Sequence, residues 1–143
     1  MTESRYKSIL LTGSSGNLGQ VIINSGLFQN LVAPSEHVLD ITKPTTIAEH
    51  FSAYNFDAVI HCAALARMMI CEKDPVLAIK SNIIGTGNLV NEVIEYEKKA
   101  GKPVRFIHIS TDGVYPSTRG NYTEQDETIP YNKYGWTKLG AEC

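Results

Sequence analysis

The sequence predicts an α/β fold in which a parallel β-sheet is covered by helices on both faces. Strand-like apolar segments alternate with helix-like segments along the chain, which is the pattern of such sheets. A glycine-rich turn, Thr12 to Gly19, follows the first strand and precedes a helical pattern. Right-handed crossovers should bring the strand ends Thr12, His61 and Ile109 to one edge, where open α/β sheets bind ligands.

The first half of the chain contains three predicted strands and two predicted helices. The apolar segment Ser8 to Thr12 is the first strand, and the first helix is marked by Leu18, Val21, Ile22 and Ser25. The expected elements that follow are a short strand at Asn30 to Ala33, a helix marked by Ile47, Phe51 and Tyr54, and a buried strand at Asp57 to His61.

A long helix is predicted between a start signal at Asp74-Pro75 and a stop signal at Lys98 to Pro103. Its expected apolar face is formed by Ile79, Ile83, Val90 and Ile94. Gly85 and Gly87 inside this helix would cost stability unless another segment packs closely there. Val104 to Ile109 is the next predicted strand, and Ser110 to Tyr131 is a long loop over the sheet edge.

The turn after the first strand has the spacing G-x-x-G-x-x-G, formed by Gly13, Gly16 and Gly19. Glycine permits a left-handed turn and leaves room for a pyrophosphate, while a helix beginning near Asn17 offers N–H donors and a positive dipole end. An ordinary Gly/Ser/Asn turn is the alternative. The strand before it and the helix after it favour a dinucleotide site.

Tyr134 and Lys138 are four residues apart, so a helix that begins at or near Asn132 would place both side chains on one face. A phenol that works as an acid near neutral pH needs about 4 kcal/mol of support for its phenolate. A nearby ammonium and an oxidised nicotinamide ring supply such support. A plain contact between a tyrosine ring and a lysine stem is the alternative.

Four motifs in this order resemble those of the extended short-chain dehydrogenases/reductases, the NAD-dependent epimerase/dehydratase superfamily. They are T-G-x-x-G-x-x-G from Thr12, I-H-C-A-A from Ile60, I-S-T-D from Ile109 and Y-G-x-T-K-x-x-x-E from Tyr134. The segments Leu39 to Thr42 and Tyr122 to Tyr134 are most similar to the dTDP-4-dehydrorhamnose reductase branch. The likeness runs from Ile9 to Glu142 and implies a Rossmann-like, doubly wound, three-layer α/β/α fold.

The resemblance implies an NAD(P)H-dependent oxidoreductase that reduces the C4 keto group of a nucleotide-linked deoxyhexose, as in dTDP-rhamnose biosynthesis. Thr111 would orient the substrate oxygen, Tyr134 would donate the proton, and Lys138 would hold the coenzyme ribose and lower the tyrosine pKa. Asp40 and Ile41 match the adenine pocket, Ala63 and Ala64 the turn beside the ribose, and Asn82 an asparagine tied to the proton relay. The full expected coenzyme-binding set is Gly13, Ser15, Gly16, Asn17, Leu18, Gly19, Asp40, Ile41, Ala63, Ala64, Asn82, Tyr134 and Lys138. No metal ligand is expected.

Family members are longer than this chain and continue into a small C-terminal substrate domain. Residues 1–143 are therefore expected to be a single truncated NAD(P)-binding domain. Without the C-terminal substrate domain, we do not expect this stretch to be catalytically active alone. The loop Arg67 to Ile70 lacks the acidic residue usual in the rhamnose branch, and the loop after Asp112 is a residue shorter. Both differences lie where substrate is expected, so they bear on the sugar more than on the redox chemistry.

The coenzyme is expected to be NADP or NAD, with NADP favoured. An acidic residue at the end of the second strand selects NAD, whereas this strand ends in Ala33-Pro34-Ser35. A serine there tolerates a 2′-phosphate.

Composition excludes several partners. The net charge is −2 and charges of both signs are interspersed, so the sequence predicts no basic surface for nucleic acid or an anionic membrane. A cytoplasmic protein is expected, because there is no apolar leader or spanning segment and the odd number of cysteines, 3, favours reduced thiols. A homodimer is compatible with the resemblance.

Two smaller features have structural interpretations. His61 and Cys62 lack a second ligand pair, so they are expected at a buried strand end rather than at a metal. Met68 and Met69 could form an apolar contact surface, but packing against the interior is the favoured interpretation.

Two alternative functions stay open. One is a non-catalytic NAD(P)-binding module, because the regulatory subunit of methionine adenosyltransferase resembles the same reductase branch. The other is epimerase or dehydratase chemistry on a related sugar nucleotide. The presence of Thr111, Tyr134 and Lys138 together favours the reductase.

Overall fold

Four short strands form one parallel sheet in the computed structural model, which describes residues 6–143. The strands are β1 (Ile9–Thr12), β2 (Leu31–Val32), β3 (Ala58–His61) and β4 (Arg105–His108), in the order β2-β1-β3-β4. In the register, Thr12 pairs with His61, and His61 pairs with His108. The predicted common edge of strand ends is therefore confirmed, with His108 rather than Ile109 as the last residue of β4.

The chain packs as two compact units. The described part of the first, here called the sheet unit, comprises residues 6–63 and 88–109. The second, here called the helical unit, comprises residues 64–87 and 110–143. Each unit is described on its own below.

The sheet unit has an apolar core on each face of the sheet. Successive side chains of a strand point to opposite faces, so Leu10 and Val59 belong to one core while Leu11 and Ile60 belong to the other. The first core is completed by residues of the helices α2 (Pro44–Ala53) and α5 (Gly85–Ala100) and of the connecting segments. The second core is completed by Ile22 of α1 (Asn17–Asn24) and by Phe28, among others. Helices on both faces of a parallel sheet give the predicted doubly wound Rossmann-like fold.

The two predicted helices of the first half are present with small differences. Within α1, Leu18 and Val21 are exposed, at 44% and 64%, and Gly19 is the buried residue. Helix α2 ends at Ala53, so the prediction that Tyr54 belongs to it is wrong. Tyr54 has an extended backbone and lies against the ring of Phe56, at 5.8 Å between centroids.

The predicted long helix consists of three consecutive segments. These are α4 (Pro75–Ile79), a π-helical turn (Lys80–Ile84) and α5. The predicted start is confirmed, because the Asp74 side chain accepts a hydrogen bond from Leu77 N at 2.9 Å. The helix ends at Ala100, before Gly101 at φ 65°.

The apolar face predicted for this helix was wrong. Ile79, Val90 and Ile94 are exposed at 36% to 43%. Ile83 is half-buried. The buried positions Ala78, Asn82, Leu89 and Val93 lie one residue earlier than the four predicted ones, and Tyr96 is buried as well. The periodicity fits both stripes, and the aromatic packing of Tyr96 against Phe51, at 5.4 Å between centroids, selects the second.

The helical unit contains α3 (Met68–Lys73), α4 and the π turn, a 3-10 turn at Asp112–Val114, and α6 (Lys133–Glu142). Apart from that turn, the described residues 110–131 form no helix or strand, as predicted for the loop. Met68 and Met69 are 51% and 86% exposed, so the interpretation of these residues as interior packing was wrong. Among residues 6–143, no helix is both long and apolar enough to span a bilayer.

Candidate functional site

The turn after β1 depends on glycine at its first position. Gly13 has a φ of 73°, and a Cβ there would lie 2.6 Å from the backbone nitrogen of Ala63. Any side chain would therefore clash with the backbone that leaves β3. The structure brings together Gly13 and Ala63, two residues expected to bind coenzyme, and Gly13 is required for this approach.

Gly19 and Gly16 complete the turn. A Cβ on Gly19 would overlap the carbonyl oxygen of Gly13 and lie 2.9 Å from Cα of Ser14, so Gly19 lets α1 pack onto the turn. The Gly16 nitrogen donates to the Gly13 oxygen at 3.1 Å. Two of the three glycines thus serve close packing within the protein, a role additional to the predicted clearance for a phosphate.

The beginning of α1 can accept an anion. Gly16 is its N-cap, and within the described chain no side chain caps this end. Ser15, Asn17 and Leu18, all expected to bind coenzyme, are exposed here. Because the first N–H groups of a helix lack intrahelical acceptors and carry the positive end of its dipole, this end fits a phosphate.

Sequence reasoning missed Ser14 at this turn. Its buried hydroxyl group donates to the Pro34 carbonyl at 2.7 Å, and its own carbonyl accepts from Nε2 of Gln20 at 2.8 Å. Ser14 therefore ties the glycine turn to the segment after β2, which contains Ser35. Its signal in the sequence was a serine inside the glycine-rich turn.

Asp40 and Ile41, expected at the adenine pocket, are held by internal contacts. The Asp40 carboxylate accepts hydrogen bonds from Thr42 N and Oγ1 at 2.9 and 2.8 Å. The Thr42 side-chain bond is the largest influence that lowers the pKa of Asp40, with Lys43 also contributing. Ile41 is buried and its carbonyl accepts from Nδ2 of Asn88 at 3.0 Å.

His61 lies at a buried strand end, as expected. Its side chain is fully buried, and Nδ1 shares a hydrogen bond of 2.7 Å with Oγ1 of Thr12. The Ala63 nitrogen donates to the same hydroxyl at 3.4 Å. His61 and Thr12 thereby connect the ends of β3 and β1 beneath the glycine turn.

In the helical unit, α6 carries Tyr134 and Lys138 as predicted. Asn132 caps it, with Oδ1 accepting from Gly135 N at 2.7 Å. A Cβ on Gly135 would overlap the Gly113 carbonyl, so α6 lies directly on the 3-10 turn that follows Thr111.

This packing brings Thr111 and Tyr134 together. Thr111 caps the 3-10 turn through its Oγ1, which accepts from Gly113 N at 3.1 Å. Burial of the half-buried Tyr134 raises the pKa of its phenol, and a hydrogen bond with the Thr111 side chain opposes that rise. The charges of Cys71 and Asp112 add to the rise. The uncharged phenol, which is the proton-donating form, is therefore favoured.

Lys138 and Asn82 are both buried, at 2% and 1% exposure. Asn82 lies in the π turn and binds both backbone groups of Leu65, accepting from N at 2.7 Å and donating to O at 3.1 Å. Leu65 directly follows Ala64, so Asn82 fixes the chain beside one of the residues expected near the ribose. Asn82 also donates to Oγ1 of Thr137 at 2.9 Å.

Known proteins resemble this chain over almost its whole length. The profile of the family described as the RmlD substrate binding domain matches residues 7–143. The dTDP-4-dehydrorhamnose reductase of Mycolicibacterium smegmatis is 33% identical over 138 residues, which are 94% of this chain and 40% of that protein. The methionine adenosyltransferase 2 subunit beta of Rattus norvegicus is 28% identical over 145 residues, 95% of this chain and 42% of that protein.

A solved structure is also similar to this chain over almost its whole length. The dTDP-4-dehydrorhamnose reductase of Bacillus anthracis, in complex with NADP, superposes with a TM-score of 0.83 at 27% identity. The match covers 99% of this chain and 49% of that one. The chain thus spans less than half the length of these relatives.

Proposed function

The chain belongs to the family of the RmlD substrate binding domain, and from that membership we propose that it is part of an NADPH- or NADH-dependent reductase of a nucleotide-linked keto sugar. The observation that carries the proposal is the packing of α6, with Tyr134 and Lys138 one turn apart, onto the 3-10 turn that Thr111 caps. In this proposal residues 1–143 are the coenzyme-binding part of the protein.

The glycine turn is proposed to hold the coenzyme. The N-terminus of α1 would bind the pyrophosphate, with Gly13, Ser15, Gly16, Asn17, Leu18 and Gly19 forming the turn. Asp40 and Ile41 would line the adenine side, and Ala63, Ala64 and Asn82 the ribose side. NADP is favoured, because the segment after β2 reads Ala33-Pro34-Ser35 and an acidic residue, Glu36, comes only after it. The solved structure of the Bacillus anthracis relative is a complex with NADP.

The proposed proton transfer uses three side chains. The glycine turn would hold the reduced nicotinamide coenzyme, which when bound would supply the hydride for the carbonyl carbon of the sugar. Thr111 orients the carbonyl oxygen by donating a hydrogen bond, and the Tyr134 phenol gives that oxygen its proton. In this proposal the ammonium group of Lys138 would stabilise the resulting phenolate when the coenzyme is bound.

The test is an assay of the longest natural form of the protein with NADPH or NADH and dTDP-4-dehydro-6-deoxy-L-mannose. We expect substrate-dependent loss of the reduced-nicotinamide absorbance. Tyr134→Phe should lower kcat about 100-fold or more, since it removes the general acid. Tyr131→Phe is the matched control, because Tyr131 is 62% exposed and outside the proposed site. Unchanged turnover in Tyr134→Phe would refute the acid assignment.

A non-catalytic coenzyme-binding role is the second candidate. It is supported by the similarity to methionine adenosyltransferase 2 subunit beta, named as a subunit of another enzyme. The two candidates differ in one measurement: a binding module takes up NADPH in a titration but does not oxidise it when the keto sugar is added.

A further inference from the structure

Thr137 lies in α6 between Tyr134 and Lys138, and its side chain is enclosed within the helical unit. It is 4% exposed. Its hydroxyl group donates to the Tyr134 carbonyl at 2.8 Å and accepts from Nδ2 of Asn82 at 2.9 Å. The hydroxyl proton of Thr137 therefore bonds within α6, and one lone pair of its oxygen accepts a hydrogen bond from Asn82 in the π turn.

Asn82 is a fixed anchor for this contact. Its amide group makes three hydrogen bonds, two with the backbone of Leu65 and one with Thr137. Both protons of Nδ2 are occupied, so the amide cannot turn away without losing a bond. A continuous path of hydrogen bonds thus runs from the Leu65 backbone through Asn82 and Thr137 to the Tyr134 carbonyl, and its central bond, between Asn82 and Thr137, is buried.

Two close contacts of α6 limit its approach to neighbouring segments. Gly135 lies against the backbone of Gly113, and Gly140 lies against the Ile83 side chain. Both are van der Waals contacts without directional preference. Directional bonds also hold the two ends of the helix, where Lys133 N donates to Oε1 of Glu72 at 2.7 Å and Ser110 donates to the carboxylate of Glu142. The hydrogen bond between Thr137 and Asn82 is a buried directional bond in the middle of the helix, so it constrains the rotation of α6 at the level of Tyr134 and Lys138.

We propose that Thr137 is a positioning residue that holds α6 in the rotation at which Tyr134 and Lys138 face their reaction partners. The kinetic part of this inference rests on the reductase function proposed above. A side-chain tip lies about 6 Å from a helix axis, so a rotation of about 10° displaces it by about 1 Å. A displacement of that size is enough to cost about 100-fold in rate.

The kinetic test compares Thr137→Val with Thr137→Ser in the longest natural form of the protein. Valine keeps the shape but removes the hydroxyl group, whereas serine keeps both hydrogen bonds. We expect Thr137→Val to lower kcat at least about 10-fold with KM changed by less than about 3-fold, because coenzyme and substrate still bind. Thr137→Ser should retain kcat within about 3-fold. Equal kcat in the valine variant and the wild type would overturn the proposal.

A second measurement does not depend on turnover. The Tyr134 phenol is titrated by NMR with ¹³Cζ-labelled tyrosine, its signal assigned by its loss in Tyr134→Phe. Thr137→Val should move the midpoint by about 0.5 pH unit or more, while Thr137→Ser leaves it in place. If the wild type shows no turnover, the proposed reductase function fails, and this titration still decides whether Thr137 positions Tyr134.

If Thr137→Val does not fold, a hydrogen-exchange measurement on the wild-type protein tests the proposal instead. Hydrogen exchange of the Asn82 side-chain amide should be slow in the wild type and in Thr137→Ser, because both Nδ2 protons are bound in a buried site. Rapid exchange in the wild type would show that the contact does not persist and would overturn the proposal.

Discussion

The carbonyl oxygen of Gly113 occupies the space that a Cβ on Gly135 would need. Gly135 belongs to α6 and Gly113 to the turn after Thr111, so this contact sets the distance between the two segments that carry the proposed proton-transfer group. The side chain of Pro130 closes the same space, since its Cβ would be 2.9 Å from the added carbon.

Gly135→Ala should destabilise the protein by about 2 kcal/mol in urea unfolding, because overpacking against a backbone carbonyl forces α6 outward. Gly140→Ala is the control in the same helix. Its Cβ would meet the flexible end of the Ile83 side chain, Cδ1, at 2.8 Å. That side chain can shift, so the usual gain of alanine over glycine in a helix should offset much of the contact. Greater stability in Gly135→Ala than in Gly140→Ala would contradict the packing described here.

The glycine turn gives a second matched pair. Gly13 and Gly101 both have positive φ, at 73° and 65°, but only Gly13 faces backbone atoms, whereas nothing lies within 4 Å of a Cβ on Gly101. Gly101→Ala should therefore cost only the left-handed strain, about 1 kcal/mol. Gly13→Ala should cost about 3 kcal/mol, since overlap with Ala63 adds to that strain.

Coenzyme titration separates this effect further. Gly101→Ala should bind NADP like the wild type, while folded Gly13→Ala should bind it weakly or not at all. If Gly13→Ala proved as stable as Gly101→Ala, the close approach to Ala63 would have to be wrong.

Asp57 provides a pH-dependent contribution to stability. Its carboxylate accepts from Lys7 N at 3.0 Å, Ser8 N at 3.1 Å and Lys102 Nζ at 2.9 Å. The hydrogen bond from Lys102 is the largest influence that lowers the pKa of Asp57 below 3.8, the value for an unperturbed side chain. A carboxyl group whose pKa is lowered on folding stabilises the protein above its unfolded pKa, and this contribution is lost as the pH falls through the folded value.

Asp57→Asn should therefore lower the free energy of unfolding by about 1 kcal/mol near neutral pH. The difference from the wild type should shrink as the pH falls below 3.8. Glu95→Gln is the control, since the Glu95–Lys98 pair lies on the surface and should contribute nothing measurable. A pH-independent difference for Asp57→Asn would exclude the ionic account.

The sequence predicts local signals well because their causes are local. Asp74 and Pro75 begin a helix, Asn132 begins α6, and Gly13 makes a left-handed turn, each through its own side chain or the lack of one. The buried face of the long helix depends on distant partners such as Phe51, and its periodicity alone fits two stripes equally well. The same limit explains the exposure of Met69, whose surroundings are not encoded in its neighbours along the chain.

In the candidate site, too, the sequence predicts the residues with local signals and misses those that depend on distant partners. Spacing identified Tyr134 and Lys138 as residues of one helix, and the resemblance identified Thr111. Ser14 and Thr137 were missed, because their importance lies in hydrogen bonds to Pro34 and Asn82, which are 20 and 55 residues away in sequence. Such contacts exist only once the chain has folded.

The pKa values of two tyrosines of the helical unit should depart in opposite directions from the ordinary value of 10.0. Burial raises the pKa of Tyr134, since a phenolate loses solvation there. The pKa of Tyr122 is lowered by a hydrogen bond with the Thr118 side chain and by the N–H groups of Arg119 and Thr118, which donate to its oxygen at 3.1 and 2.9 Å.

In a ¹³Cζ NMR titration of the coenzyme-free protein, Tyr134 should therefore ionise above pH 10.0 and Tyr122 below it. The variants Tyr134→Phe and Tyr122→Phe assign the two signals. Saturation with NADP⁺ should lower the midpoint of Tyr134, because the positive nicotinamide ring favours the phenolate in the proposed reaction. Tyr122 lies outside the proposed site and should keep its midpoint. A Tyr134 midpoint that does not respond to bound NADP⁺ would mean that the coenzyme does not reach the phenol, and the acid role proposed for Tyr134 would then be untenable.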